Sequence, residues 1–187
     1  MSKALVLLAE GVEEMEAVIV IDVLRRTGVE VVSAATGPAI EVTASRGVRL
    51  IADALLSETS SADFDALLIP GGAGGSRLLA RDPQVLGLIR SYVLAGKLVA
   101  AVCAGPLVLH AAGVLRGVRF TCHPAARAQL PGVEIDSARV VADGNFITSQ
   151  GPGTSMEFAL AIARRLVGEK QAAQVAEGLL LPEGTKG

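Results

Sequence analysis

The chain has 187 residues, enough for one ordinary domain with a well-buried core; 51% of them are hydrophobic but only 3% aromatic, so that core must be built from Ala, Val, Leu and Ile, as buried parallel strands and closely packed helices are. A formal net charge of −2, with no dense Lys/Arg run, excludes the electrostatic footprint of a nucleic-acid binder. The longest apolar run, residues 98–109, is broken by Gly105 and Pro106 and falls short of the roughly 18 residues a membrane span needs, while the apolar stretch before Glu10 is too short for a signal-peptide core; a soluble, cytoplasmic protein with free thiols at Cys103 and Cys122 is expected.

In chain order, residues 3–9 predict a buried strand, and residues 14–26 a helix stopped by Gly28. A second strand follows at 29–36, then a β-excursion over 41–51 that turns at Arg46 and Gly47. Residues 64–72 read as a strand running into the Gly71–Gly72 pair, 83–96 as a helix stopped by Gly96, 97–103 as a strand, and 104–113 as a helix closed by Gly113. Strands are predicted at 118–122, 139–142 and 145–149, then helices at 155–166 and 169–177. Strands alternating with helices predict an α/β fold with a parallel sheet covered on both faces. Nothing splits the chain, so residues 1–187 are expected to be a single domain.

The first helix has apolar residues nearly all the way round, at 15, 17–21, 23 and 24, where a surface helix carries one stripe. A homodimer would cover the second face; burial within the monomer is the alternative.

Ligands of open α/β sheets gather at the carboxyl ends of the strands. Three segments end there: Glu10–Glu16, Gly71–Gly72 and Cys103. The stretch Ala101-Val102-Cys103-Ala104-Gly105 has the small flanking residues of a strand–turn–helix nucleophile elbow. A thiol at a helix start is expected to have a lowered pKa; burial of Cys103 as a small hydrophobe is the other reading. The amides at the Gly pair and at Ala104 could form an oxyanion hole beside the sulfur. Glu16 is either a solvated helix-start carboxylate or a buried acid that donates a hydrogen bond to the Cys103 thiolate, the two titrating as a pair. His110 reads as a packing or surface residue, Cys122 as core. His123 precedes a proline at a strand tip, where catalytic and loop roles are both open. No C-x-x-C or H-x-x-x-H spacing supports a zinc site.

Taken together and in this order, AEGVEEMEAV, LIPGG, AAVCAGP, Thr121-Cys122-His123-Pro124 and ITSQGPGTSMEFALAIA resemble the ThiJ/PfpI superfamily, in the branch that contains the parkinsonism-associated protein deglycase and bacterial YajL. The likeness spans residues 3–181. It implies a flavodoxin-like three-layer sandwich and a homodimer. By motif position it implies Cys103 as an oxidation-sensitive nucleophile, Glu16 as the carboxyl that contacts it, His123 as the pocket histidine, and Gly72 and Ala104 as amide donors. It also implies a pocket rim of Gly71, Arg46, Arg26 and Pro152, the last reaching over from the partner subunit; from the residues alone, both arginines would be surface charges. The implied activity is a glyoxalase or deglycase that needs no metal or organic cofactor, acting on methylglyoxal, glyoxal and their early protein or nucleotide adducts. The alternative is a redox sensor or chaperone worked by oxidation of Cys103. A thiol peptidase is disfavoured because Ala104 stands where peptidase relatives place a histidine. Gln150, where human-type members carry Arg, resembles the bacterial branch, and Ala44 replaces a further cysteine of the family.

Overall fold

The computed structural model describes residues 1–182. Seven strands form one sheet: β1 (Lys3–Leu8), β2 (Glu30–Ala35), β5 (Ala54–Leu55), β6 (Ala66–Ile69), β7 (Leu98–Val102), β8 (Val140–Asp143) and β9 (Phe146–Ser149), in the order β5-β2-β1-β6-β7-β9-β8. Every neighbouring pair is parallel except the β8–β9 hairpin at one edge. The predicted excursion is a separate two-stranded hairpin, β3 (Glu41–Thr43) with β4 (Arg49–Ile51).

Side chains alternate along the central strands and divide the core in two. Ala4, Val6, Leu8, Leu68, Ala100 and Val102 face one layer, which holds α1 (Glu14–Arg26), α6 (Ser155–Val167) and α7 (Glu169–Gly178). Leu5, Leu7, Leu67, Ile69, Val99 and Ala101 face the other, which holds α3 (Pro83–Leu94) and α4 (Gly105–Ala111). With both faces covered, the strands need no polar face, and β1, β6 and β7 are almost continuously apolar. The result is the expected flavodoxin-like α/β sandwich.

One expectation of the fold needs revision. Residues 118–122 form no strand: Phe120, Thr121 and Cys122 are buried, but this extended segment is held by side chains and isolated bonds. The Thr121 amide donates to Thr148 Oγ1 and the Arg119 amide to Asp143. The Gly-rich stretch after Gly72, for which the sequence predicts no element, is a helix, α2 (Ala73–Leu79), and a one-turn helix, α5 (Pro124–Arg127), follows His123 where a loop was one of the open readings.

Candidate active site

The carboxyl ends of the adjacent strands β1, β6 and β7 bring Glu13–Glu16, Gly71–Gly72 and Cys103 to one edge, beside a cavity of about 600 Å³. Cys103 leaves β7 with φ +62°, the left-handed region that a side chain enters at a cost of about 1–3 kcal/mol. The turn is held from both sides: the Cys103 amide donates to Ser149 O on β9, and its carbonyl accepts from the His123 amide, each at 3.0 Å. This elbow keeps the thiol half-exposed at the cavity while the strand before it stays buried.

Glutamates 13, 14 and 16 have three separate jobs. Glu13 caps α1, accepting from the Glu16 amide at 2.8 Å. Glu14 accepts from Ser45 Oγ and the Arg46 amide and so pins the β3–β4 turn to the first turn of α1. Glu16 is completely buried, which eliminates the solvated reading. Its Oε2 accepts from the Gly71 amide at 2.6 Å; its Oε1 has no hydrogen-bond partner among the described residues. Gly71 is required here because a Cβ would fall 2.5 Å from Cys103 Cβ and 2.6 Å from Glu16 Oε2. Gly72, at φ +92°, has no room either, since its Cβ would lie 2.3 Å from Gly11 O.

Burial raises the Glu16 pKa to about 7, against the opposing pull of the Gly71 amide and the Cys103 thiol. The expected acidic thiol is not found. Burial, then the charge and hydrogen bond of Glu16, push Cys103 up to about 12, although the amides of Gly72 and Ala104 pull it down. The helix after it is only seven residues long and begins two positions later, so its dipole offsets little of this. The two groups form a coupled pair. Once the pair has lost a proton, moving the remaining one from sulfur to carboxyl creates a thiolate without adding charge to the site.

His123 lines the same cavity. Its Nδ1 accepts from the Ala125 amide at 3.1 Å, so the neutral ring carries its proton on Nε2. Arg46 and Pro152 also line it, and this Pro152 belongs to the same chain as Cys103, which corrects the expectation that it arrives from a partner. Arg26 is not brought to the site: it lies in the last turn of α1, exposed and paired with Asp22 at 2.6 Å. His110 is exposed and Cys122 buried, as expected. Among the described residues no cluster of three or more His, Cys, Asp or Glu could hold a metal ion, and no helix is long and apolar enough to cross a membrane. Sequence reasoning missed Arg77, Arg81 and Gln129 in the wall. The four-residue spacing of the two arginines was a usable signal only once α2 was known to be a helix.

The model of the DJ-1/PfpI family matches residues 2–165. The chain belongs to this family. Its DJ-1/PfpI relatives include protein dj-1beta of Drosophila melanogaster, 45% identical over 97% of this chain and 98% of that protein. Another, from Caenorhabditis elegans, is named glutathione-independent glyoxalase DJR-1.2 and is 38% identical over 95% of this chain and 96% of its own. The crystal structure of Drosophila DJ-1beta superposes with a TM-score of 0.92 at 43% identity, covering 97% of this chain and all of that one.

Proposed function

We propose that the protein is a cofactor-free, cysteine-dependent glyoxalase and deglycase acting on methylglyoxal, glyoxal and their early adducts with amines and thiols, and that it works as a homodimer. The observation that carries this reading is the strained Cys103 elbow, with the amides of Gly72 and Ala104 on one side and the buried Glu16 on the other. A relative named as a glyoxalase supports it.

In this mechanism Glu16 takes the thiol proton and the thiolate adds to the aldehyde carbon of methylglyoxal. The oxyanion so formed is held by the Gly72 and Ala104 amides until Glu16 returns the proton to it. The carboxylate then removes the hydrogen from that carbon while His123 donates from Nε2 to the second oxygen, giving an enediol; Glu16 delivers its proton to the neighbouring carbon, and the first hydroxyl returns a proton to His123 Nε2 as its oxygen becomes the thioester carbonyl. The internal redistribution leaves a lactyl thioester, which water cleaves to lactate and the free thiol, with no external oxidant or reductant. A carboxyl with a pKa near neutrality suits both halves of this shuttle.

Steady-state lactate formation tests it. Cys103→Ser should abolish turnover and Cys122→Ser should leave most of it, since Cys122 is buried away from the cavity. Undiminished turnover in Cys103→Ser would overturn the assignment. A wild type that makes no lactate yet oxidises selectively at Cys103 would favour the redox-sensor reading, which the buried Glu16 carboxyl, its Oε1 unpartnered among the described residues, also suits.

A further inference from the structure

The Cys103 cavity is larger and more cationic than free methylglyoxal can use. About 600 Å³ lies in the range of pockets that hold much bigger ligands. Three arginines line it: Arg46 from the β3–β4 turn, and Arg77 and Arg81, four residues apart on and just after α2. All three are exposed. Arg46 donates to the Ser45 carbonyl, and among the described residues neither Arg77 nor Arg81 has an ion-pair partner. Among the described residues the wall holds a single carboxylate, Glu13, which accepts from the Glu16 amide. The nearest acid in sequence, Asp82, is committed to the amides of Gln84 and Val85 at the start of α3. With three guanidinium groups against one carboxylate among the described lining residues, the cavity mouth keeps a net positive charge. It does nothing for an uncharged oxoaldehyde.

We propose that Arg77 and Arg81 form an anion-docking wall, and that the preferred substrates of this site are aldehydes or oxoaldehyde-derived adducts that carry a phosphate or carboxylate group. Guanidinium groups hold such oxyanions through paired hydrogen bonds. A cleft lined by one sign of charge also raises the local concentration of the opposite sign by tenfold or more. The inference rests on Cys103 being the reacting atom, and it specifies what is brought to that atom.

Matched alkylating agents test it without requiring turnover. Iodoacetate and iodoacetamide attack the same sulfur and differ in charge, so the ratio of their rates at Cys103 cancels thiolate content and reports the field at the cavity. Relative to wild type, R77Q/R81Q should lower the iodoacetate-to-iodoacetamide ratio about tenfold, and R77K/R81K should largely keep it. Raising salt should erode the wild-type ratio, because exposed charges are screened beyond ~10 Å at 0.1 M. In a second arm, methyl phosphate and acetate compete against iodoacetamide labelling, and the better protector identifies which anion the wall takes. An unchanged ratio in R77Q/R81Q, or no protection by either anion, overturns the proposal. Failure of methylglyoxal turnover would overturn the glyoxalase reading alone, because alkylation needs only the thiol.

Discussion

Glu16 is costly to the native state, and the cost has a definite pH dependence. Its carboxyl rises from an ordinary 4.5 to about 7 on folding, chiefly through burial, so between these values the native chain keeps a proton that the unfolded chain releases. Native stability therefore falls as pH rises through that window, by an amount on the order of 3 kcal/mol at and above neutrality. Glu16→Gln keeps an oxygen for the Gly71 amide but cannot ionise. Its melting temperature should match the wild type near pH 4.5 and exceed it by several degrees at pH 8, while lactate formation falls by about a hundredfold or more because the shuttle is gone. Thermal melts at both pH values check this, and equal differences at the two would show that the carboxyl carries no such penalty. The same residue marks a limit of sequence reading. Its place after β1 was legible, but its burial was not, because the groups that enclose it, Gly71 and Cys103, lie 55 and 87 positions away and meet it only through the order of β1, β6 and β7.

At the scale of elements, α1, α3 and the parallel strands β1, β2, β6, β7 and β9 were legible because each carries an apolar run or a clear stop, whereas β5, two residues long, offered no run to read. The helix α2 was not legible either, since it is only seven residues long and its first turn, AGGS, carries two glycines, each about 1 kcal/mol less favourable than Ala in a helix. Its glycines serve contact: a Cβ on Gly75 would come within 3.0 Å of the Val12 amide nitrogen and 3.1 Å of Val12 Cα, so α2 rests directly on the loop that leads into α1. The segment 118–122 failed in the opposite way, as its alternation is genuine but its backbone bonds are scattered over the side chains of Asp143 and Thr148 and the backbone of Leu115 and Asp136, and form no ladder with a neighbouring strand among the described residues. A pair of substitutions separates contact from propensity. Gly87, exposed in α3, has nothing within 4 Å of where its Cβ would be, so Gly87→Ala should stabilise by about 0.5–1 kcal/mol. Gly75→Ala gains the same propensity but presses on backbone that cannot swing aside, and should destabilise by about 1–3 kcal/mol and reduce turnover by shifting Gly72. Urea titrations of the two variants should move in opposite directions; a stabilised Gly75→Ala would contradict the contact argument.

For the whole molecule, the question is what covers the outer face of α1. Its inner face, Glu16, Ala17, Val20, Val23 and Leu24, is buried, largely against α6. Met15 and Val18 remain 54% and 48% exposed, and Val48 and Ile51 of the hairpin pinned to α1 are 47% and 72% exposed. Apolar side chains exposed on α1 and on the hairpin pinned to it suit an association surface, and two copies packing through α1 about a two-fold axis perpendicular to the helix would set their α1 helices antiparallel. The end of one helix would then lie beside the start of the other. Arg26, which sits far from its own cavity at the C-terminal end of a helix roughly 20 Å long, would in that arrangement approach the Glu13 and Arg46 side of the other copy's site. Sedimentation equilibrium at micromolar concentration should accordingly give about twice 19.1 kDa, and Val18→Glu, which places a charge in the patch without touching the inner face, should shift the protein toward monomer with its circular dichroism unchanged. If the outer face is the interface, the monomeric variant should also lose part of its turnover, and Arg26→Gln in the dimer should reproduce that part alone. A wild-type monomer, or a Val18→Glu dimer, would remove α1 from the interface and leave Arg26 a surface charge paired with Asp22.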